Sequence, residues 1–205
     1  QAGAGWTLSV FRPTVVYGDA LGVNMNPIPP LAAYAALLRE AGEPLYFPGA
    51  AGGESIVREG VSAEVVAGAL AWAAEAGAAG GETFNLTNGD VFTWESVWPS
   101  IAAAFEMERG EPRPVSLAEE LPRRQDDWAK LVDRHGLAAT RDIVEFCGAN
   151  SLVYADAMLG PGSGAPVPFL NSTIKVRKAG YDGCEDSEEM FTRLFRRLRA
   201  ERLVP

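Results

Sequence analysis

The stretch ETFNLTNGDVFTWESVW, residues 82–98, changes from the periodicity of a strand to that of a helix within a few residues. Phe84 and Leu86 alternate with polar neighbours, which is typical of a half-buried β-strand. The Asn-Gly pair that ends at Gly89 predicts a turn, because glycine adopts positive φ angles without steric cost. Thr93 can cap the helix that follows, where apolar residues recur at intervals of three and four. The stretch therefore predicts a strand, a turn and a helix in direct succession.

The chain before this stretch contains further strand and helix patterns. Residues 7–11 are rich in β-branched and aromatic side chains and predict a buried strand that ends at an Arg-Pro pair. Residues 31–42 have apolar side chains at helical spacing and stop at a glycine, which predicts a helix. A short strand is predicted at residues 45–49, and a second helix, capped by a serine, at residues 62–75.

The second half of the chain shows mainly helical patterns. Residues 108–122 are polar and interrupted by prolines, which predicts a linker. Helices are predicted around Trp128 up to a glycine, over residues 150–160, and from Asp186 towards the end, whereas residues 160–166 predict a loop. Alternating strands and helices followed by helices alone indicate an α/β fold with a predominantly helical second half.

Composition limits the classes of function. The chain has 205 residues, a formal net charge of −9, and 47% hydrophobic and 22% charged residues. Because the negative charge would repel phosphate backbones and anionic lipid, we expect neither nucleic acid nor a membrane as partner. The sequence contains no run of about 18 apolar residues that could span a bilayer. Two cysteines, Cys147 and Cys184, lack zinc-binding spacing, which favours a reducing cytoplasm and no metal site.

A dinucleotide site needs a glycine-rich turn between a strand and the N-terminus of a helix, where backbone N–H groups hold the pyrophosphate. The candidate is Gly3-Ala-Gly5, but it follows no predicted strand. Leu8 stands where a third glycine is needed, and the residues behind it predict a strand instead of a helix. We interpret this segment as a flexible lead-in.

The chain shows no complete set of catalytic residues. Short-chain reductases pair a tyrosine with a lysine four residues later, so that the ammonium lowers the pKa of the phenol. None of the tyrosines here has a lysine at that distance. The single histidine, His135, lies near a predicted helix end, where we expect it to interact with the terminal carbonyls. The segment 160–164 lacks the preceding strand of a nucleophile elbow. We therefore name no catalytic residue and expect the chain alone to be inactive.

Four segments together resemble the C-terminal half of extended short-chain dehydrogenase/reductases of the NAD-dependent epimerase/dehydratase superfamily. Within these, the chain is similar to the progesterone 5β-reductase and iridoid synthase-like group. The segment 82–105 is the most specific, because it matches the group's FN-TNGDVF-W---W signature at many positions at once. The other matching segments are residues 6–18, 43–49 and 179–205.

The resemblance implies the C-terminal part of an NAD(P)-binding Rossmann-like fold, with late parallel strands, helices and a mainly helical substrate-binding subdomain. Residues 1–107 would form the Rossmann-like part with interleaved substrate-domain segments. Residues 108–205 would form the substrate-binding or lid region and the terminal helix. In the family, the glycine-rich loop, the cofactor-phosphate selector, the tyrosine and the lysine precede a segment like residues 6–18. In this numbering we expect them before Gln1.

The resemblance also implies which residues contact the cofactor. The backbone after the Arg-Pro turn would meet the nicotinamide carboxamide, and the following loop would touch the ribose or phosphates on the nicotinamide side. The cofactor is NADP or NAD, and NADP is favoured by the resemblance alone. A plain strand end is the alternative interpretation of this motif, and Asn26 is interpreted as a loop cap. The cofactor-binding residues predicted in this way are Pro13, Val16, Val23, Asn24 and Met25.

Substrate contacts are implied in the predicted helix near residue 154. The resemblance places Tyr154 beside a hydrophobic substrate, with Ala157 and Met158 one turn further, although each is also typical of an ordinary core. Residues 150–153 depart from the group, where tryptophans are common. The resemblance thus implies a cytoplasmic NAD(P)H-dependent reductase of a hydrophobic enone, ketone or aldehyde.

Two other functions stay open at this point. The first is a stand-alone, non-catalytic domain that binds an apolar ligand or a partner through an exposed sheet edge, with a homodimer as one outcome. The second is a fragment of a sugar-nucleotide epimerase or dehydratase. The second is disfavoured because the latter half of the chain offers few groups for a nucleotide diphosphate.

Overall fold

Four short strands form two separate parallel pairs. In the computed structural model, which describes residues 5–160 and 169–205, β1 (Val10–Pro13) pairs with β4 (Thr83–Leu86). Strand β2 (Val16–Tyr17) pairs with β3 (Val61–Ser62). Parallel neighbours need long crossover connections, which the helices between them supply. The predictions for residues 1–4 and 161–168 lie outside the described residues.

In the described residues, helices account for all regular structure after β4. This agrees with the sequence prediction of an α/β fold with a helical second half. A short 3-10 turn covers Gly77–Ala79. The helices of the described residues are α1 (Ile28–Glu40), α2 (Ala63–Glu75), α3 (Trp94–Ala104), α4 (Leu117–Arg123), α5 (Gln125–His135), α6 (Ile143–Cys147), α7 (Ala149–Leu159), α8 (Ile174–Lys178) and α9 (Ser187–Ala200).

Helix α1 forms the centre of the main core. Every residue from Ile28 to Leu38 is buried, and α4, α5, α6, α7 and α9 pack around the helix. A helix that is apolar all round is expected to be enclosed in this way. It begins three residues before the predicted start at residue 31, because Pro29 and Pro30 lie in its first turn, where proline costs no hydrogen bond.

A cluster of aromatic rings holds α9 against α3. Trp94 of α3 lies 5.3 Å from Phe191 of α9 and 6.1 Å from Trp98, measured between ring centroids. Phe47 meets Trp98 edge to face at 5.2 Å. The Trp98 indole N–H also donates to the carbonyl of Leu45 at 3.1 Å. The packing of the terminal helix therefore depends on the aromatic residues that follow β4.

The prediction of a buried strand at residues 7–11 is wrong in place and in burial. The strand covers Val10–Pro13, and its side chains are mostly exposed, as are Trp6 and Leu8 before it. Strand β1 pairs with β4 on one edge only, and its other edge has no partner strand in the described ranges. Pro13 does not end the ladder, because the Thr14 N–H next to it donates to Leu86 at 3.1 Å while residue 13 faces the other way.

The predicted strand at residues 45–49 is also wrong. Leu45 forms an isolated bridge with Arg109, through hydrogen bonds to Glu108 and Gly110, and the segment then leaves the extended pairing. Pro44 and Pro48 flank it and cannot donate to a ladder, so no longer pairing can form. The segment lies against α3 as an irregular stretch.

The predicted linker at residues 108–122 is correct only for its first part. Helix α4 begins at Leu117, and the carboxylate of Asp156 accepts hydrogen bonds from the backbone N–H groups of Leu117 (2.6 Å) and Ala118 (3.2 Å). A carboxylate at a helix N-terminus stabilises the first turn. The Ser116 hydroxyl also accepts from the Glu119 N–H at 3.2 Å, which is a local cap, whereas the part played by Asp156 on α7 cannot be read from the local sequence.

The Asn-Gly-Asp part of the family signature connects three elements. Asn88 is buried, its side-chain oxygen accepts from the Ser62 N–H (2.8 Å), and its amide donates to the Ser187 hydroxyl (3.2 Å). Asp90 accepts from the N–H and the hydroxyl of Ser187 at 2.8 and 2.7 Å. The signature thus ties the start of α2 and the start of α9 to the turn after β4.

Replacing Asn88 by alanine should destabilise the fold strongly. The buried N–H of Ser62 and the hydroxyl of Ser187 would each lose a partner, and an unpaired buried group costs about 1–3 kcal/mol. We expect urea unfolding to show a loss of about 2–4 kcal/mol. Asn85→Ala is the matched control, because its amide makes one exposed bond to Ser172. Equal losses in both variants would contradict the assigned role of Asn88.

Candidate functional site

The predicted carboxamide contacts lie where β1 and β2 leave the sheet. Thr14 bonds to β4, so the carbonyl of Pro13 points away from that strand. The Val61 N–H donates to the carbonyl of Val15 at 3.0 Å, which directs the N–H and C=O of Val16 away from β3. The two predicted residues therefore present an acceptor and a donor that neither ladder uses.

An acceptor and a donor are the two types of group that a nicotinamide carboxamide pairs with. A primary carboxamide carries two N–H donors and one carbonyl acceptor in a plane. The carbonyl of Pro13 can accept from its NH₂ group, and the N–H of Val16 can donate to its oxygen. Both groups belong to the main chain, so their chemistry does not depend on the side chains present.

Asn26 shapes the loop between β2 and α1. Its side-chain amide donates to the carbonyls of Gly18 (2.9 Å) and Ala20 (3.0 Å), and its oxygen accepts from the Ile28 N–H (3.2 Å). The residue is buried, as expected of a loop cap. Within this loop Met25 has a φ of 59°, an uncommon conformation for a residue other than glycine. The loop is therefore fixed by a side chain from within it.

Helix α7 is hydrogen-bonded to this loop. The Ser151 hydroxyl donates to the carbonyl of Val23 at 2.6 Å and accepts from the Asn26 N–H at 2.9 Å. The Asn150 amide adds a bond to the Asn24 side chain at 3.1 Å. The predicted cofactor loop and the helix that carries the predicted substrate residues are thus joined at three points.

A glycine permits this close approach. Gly148 lies between α6 and α7 with a φ of 83°, and an added Cβ would lie 2.4 Å from the carbonyl oxygen of Val23. Any side chain there would force the loop and the helix apart. The junction of α6 and α7 therefore needs glycine for its backbone conformation and for the space above it.

A small cavity of about 260 Å³ opens beside the carboxamide contacts. Thr14 and Val15, between Pro13 and Val16, form one wall, Met158 of α7 contributes to another, and Tyr17 and Arg58 also line it. This volume is at the lower end for small-molecule pockets. It is a suitable size for a small, mainly apolar group.

The phenol groups near the cavity are neutral at physiological pH. Burial raises the pKa of Tyr17 well above its ordinary value, and the charge of Arg58 offsets this only in part. Burial also raises the pKa of Tyr154. Both phenols can therefore donate hydrogen bonds, but neither has a neighbouring lysine that would make it an acid near neutral pH.

Outside this region the described residues offer little chemistry. His135 contacts the carboxylate of Glu40 at 2.9 Å, so the prediction that it interacts with helix carbonyls is wrong, because α1 packs beside its helix. Within the described ranges, no group of three or more His, Cys, Asp or Glu side chains is arranged to hold a metal ion. Every helix of the described residues is too short or too polar to cross a membrane.

Relatives with a named activity match the chain from end to end. An (S)-8-oxocitronellyl enol synthase of Camptotheca acuminata is 30% identical over 209 residues, which cover 100% of this chain and 51% of the relative. One of Nepeta cataria is 30% identical over 208 residues, with coverage of 100% and 51%. The chain is similar to the C-terminal half of iridoid synthase-like proteins. It spans about half the length of these relatives, and no protein-family model matches it.

Solved structures agree on the fold of the chain. An epimerase-type protein of Burkholderia cenocepacia J2315 has a TM-score of 0.53 at 16% identity, covering 93% of this chain and 46% of that protein. The terminal R domain of the myxalamid PKS-NRPS pathway has a TM-score of 0.51 at 16% identity, with coverage of 96% and 45%. At this identity they show the Rossmann-like fold alone.

The predicted site residues form two sets, the cofactor contacts and the substrate contacts. Pro13, Val16 and the loop of Val23, Asn24 and Met25 follow one another around the ends of β1 and β2. Of the substrate residues, Met158 lines the cavity, Tyr154 is half-buried and Ala157 is exposed. Sequence reasoning missed Ser151 and Arg58, because each acts through partners that are distant in sequence.

Proposed function

We propose that this chain forms the nicotinamide-binding wall and the substrate lid of an NAD(P)H-dependent reductase. The observation that carries the proposal is the contact between the loop of residues 18–26 and helix α7, made by Ser151 to Val23 and Asn26. In the proposal, this contact links the loop that meets the cofactor to the helix that meets the substrate, and Met158 of that helix lines the cavity. The relatives, named as enol synthases, support a reductase-type origin.

In this proposal each part of the chain has a separate task. Pro13 and Val16 orient the nicotinamide through its carboxamide, and the loop after them closes over the ribose side. Helix α7 supplies Met158, which lines the cavity, and in this proposal the half-buried Tyr154 extends the apolar wall that excludes water from the reacting atoms. The bound nicotinamide supplies the hydride. The resemblance favours NADP over NAD, and the residues that select between them are not in this chain.

The proposed substrate is a hydrophobic enone, ketone or aldehyde. The cavity is small and lined largely by apolar side chains next to the carboxamide contacts. No tyrosine of this chain has a lysine four residues later, so the chain lacks the paired groups that transfer the proton in such reductases. The 205-residue chain alone is therefore expected to bind a nicotinamide nucleotide without turnover.

The test is oxidation of NADPH and of NADH by the protein at its native length. Cinnamaldehyde and benzylideneacetone serve as an apolar enal and enone, and UDP-glucose represents the sugar-nucleotide alternative. We expect one of the nucleotides to be oxidised with the enal or the enone, and no binding of UDP-glucose. Failure with both carbonyl compounds, or tight binding of UDP-glucose, would argue against a reductase of this class.

The exposed edge of β1 favours partner binding as a second candidate function. Trp6 and Leu8 are 59% and 57% exposed beside a strand that pairs on one side only. Such an edge is a template for pairing with another strand. In this second candidate function, β1 pairs with a strand of another sheet, which belongs either to a second copy of the chain or to another polypeptide.

This second candidate predicts self-association of the isolated chain. We expect light scattering to detect dimers or larger species, and Leu8→Lys to weaken the association by about tenfold or more, because a charge at a sheet edge opposes pairing. Leu170→Lys is the matched control, since Leu170 is similarly exposed at 56% and is not in the segment that leads into β1. A stable monomer at high concentration would count against this candidate.

A further inference from the structure

Arg58 is a half-buried cation that borders the small cavity. One of its terminal nitrogens donates to the carbonyl of Gly160 at 3.0 Å. Its Nε is shielded from solvent and has no hydrogen-bond acceptor among the described residues. No carboxylate of the described residues lies within ion-pair distance of the Arg58 guanidinium. The arginines that do form ion pairs here are mostly on the surface. A buried charge without an anionic partner is costly to a fold.

The neighbours of Arg58 do not neutralise it. The adjacent carboxylate, Glu59, accepts two hydrogen bonds from Asn171, one from its N–H (2.7 Å) and one from its amide (3.2 Å). Tyr17 and Tyr154 face the same region as neutral phenols. Because the Nε is shielded, the terminal nitrogens of the guanidinium are the groups that an acceptor arriving in the cavity can reach.

The rest of the lining is mainly carbon. Val15, Ile56, Met158 and Phe169 contribute carbon surface beside the guanidinium, and Thr14, Tyr17 and Glu59 also line the cavity. A pocket of about 260 Å³ is too small for a nucleoside diphosphate. Because the Glu59 carboxylate is held by Asn171, the guanidinium is the group left to bind an acceptor at one end of a small, mainly apolar body.

We propose that Arg58 binds a carboxylate on the substrate, so that the reductase acts on a hydrophobic carbonyl compound that also carries an acid group. This inference rests on the proposed function and narrows its substrate class. The planar guanidinium suits a carboxylate better than a lysine would, because it offers parallel N–H groups. Arg58 is a specificity residue in this scheme, and it moves no proton.

The test compares two ligands of the same shape. Cinnamate carries a carboxylate where cinnamamide carries a neutral amide, and their affinities are measured by calorimetry on the purified protein. We expect cinnamate to bind about tenfold more tightly, since a hydrogen bond to a charged group contributes about 1.5–3 kcal/mol. Equal affinities, or no binding of either ligand, overturn the proposal.

Variants at position 58 test whether the preference for cinnamate over cinnamamide comes from Arg58. Arg58→Gln should reduce it to about twofold or less, and Arg58→Lys should leave an intermediate preference, because the charge remains without the planar fork. The backbone of residue 58 pairs with Phe92 in both directions at 2.8 and 2.9 Å, so these variants keep their main-chain contacts. Arg124→Gln is the control, since Arg124 pairs with Asp127 and does not line the cavity. A preference that survives in Arg58→Gln overturns the assignment.

The same samples separate this inference from the proposed function. NADPH binding is measured on each of them. If the protein binds NADPH but does not distinguish cinnamate from cinnamamide, the carboxylate subsite is wrong and the nicotinamide wall stands. If the protein distinguishes the two ligands but binds neither NADPH nor NADH, the proposed reductase function is wrong and the subsite belongs to another activity.

Discussion

Replacing Asn26 by alanine is expected to disorder the cofactor loop and to weaken nicotinamide binding. The change removes the side-chain bonds to the carbonyls of Gly18 and Ala20 and to the N–H of Ile28. Because an unpaired buried group costs about 1–3 kcal/mol, urea unfolding should show a loss of about 2–4 kcal/mol. The affinity for NADPH should fall by about tenfold or more, since the loop must be re-formed on binding.

The matched control for this change is Asn24→Ala. Asn24 lies in the same loop and is exposed, and its side chain makes one bond, to Asn150. Exposed substitutions of this kind usually change stability by about 0.5 kcal/mol or less. If Asn24→Ala were as damaging to the fold as Asn26→Ala, the loop would not depend on the internal cap.

Trp98→Ala is expected to give a large loss of stability. The side chain is 1% exposed, packs against Phe47 and Trp94, and donates its N–H to Leu45. Truncation of a buried tryptophan costs about 3–5 kcal/mol, to which the unpaired carbonyl of Leu45 adds. The loss is measured as the shift of the midpoint in urea.

Two further variants, one conservative and one a control, test how the loss of ring packing and the loss of the indole N–H contribute to the destabilisation. Trp98→Phe keeps most of the ring packing and loses the indole N–H, so about 1–2 kcal/mol should remain lost. Trp6→Ala is the control for the loss of a tryptophan as such, because Trp6 is 59% exposed. A loss in Trp6→Ala comparable to that in Trp98→Ala would show that the aromatic cluster is not the main support of α9.

Helix starts could be predicted from the sequence because their signals are local. Ser62, Thr93 and Asp186 accept hydrogen bonds from the N–H groups of residues 65, 96 and 189, at 3.1, 3.1 and 2.9 Å. Each cap lies three residues from its partner, so the pattern is visible without knowledge of the fold. The family signature of residues 82–98 was equally readable, and its strand and helix are confirmed.

Burial and tertiary partners could not be predicted in this way. The composition of residues 7–11 is typical of a buried strand, but exposure depends on which strands lie beside it. Asp156 supplies part of the cap of α4 from α7, and the loop of residues 18–26 is held by Ser151, which is 125 residues away from Asn26. Arg58 carries no motif, and its importance comes from the cavity and from the acceptor that its Nε lacks among the described residues.

An amide-resolved NMR titration with reduced nicotinamide mononucleotide tests most directly the proposal that residues 13–26 contact the nicotinamide. This ligand carries the nicotinamide half of the cofactor without adenine, and AMP is the matched control. We predict that the amide signals of Val16 and of residues 23–25 shift with the nicotinamide ligand and stay in place with AMP. The amide signals of α9 should be unaffected by both ligands. Shifts that avoid residues 13–26, or equal shifts with both ligands, would contradict the proposal.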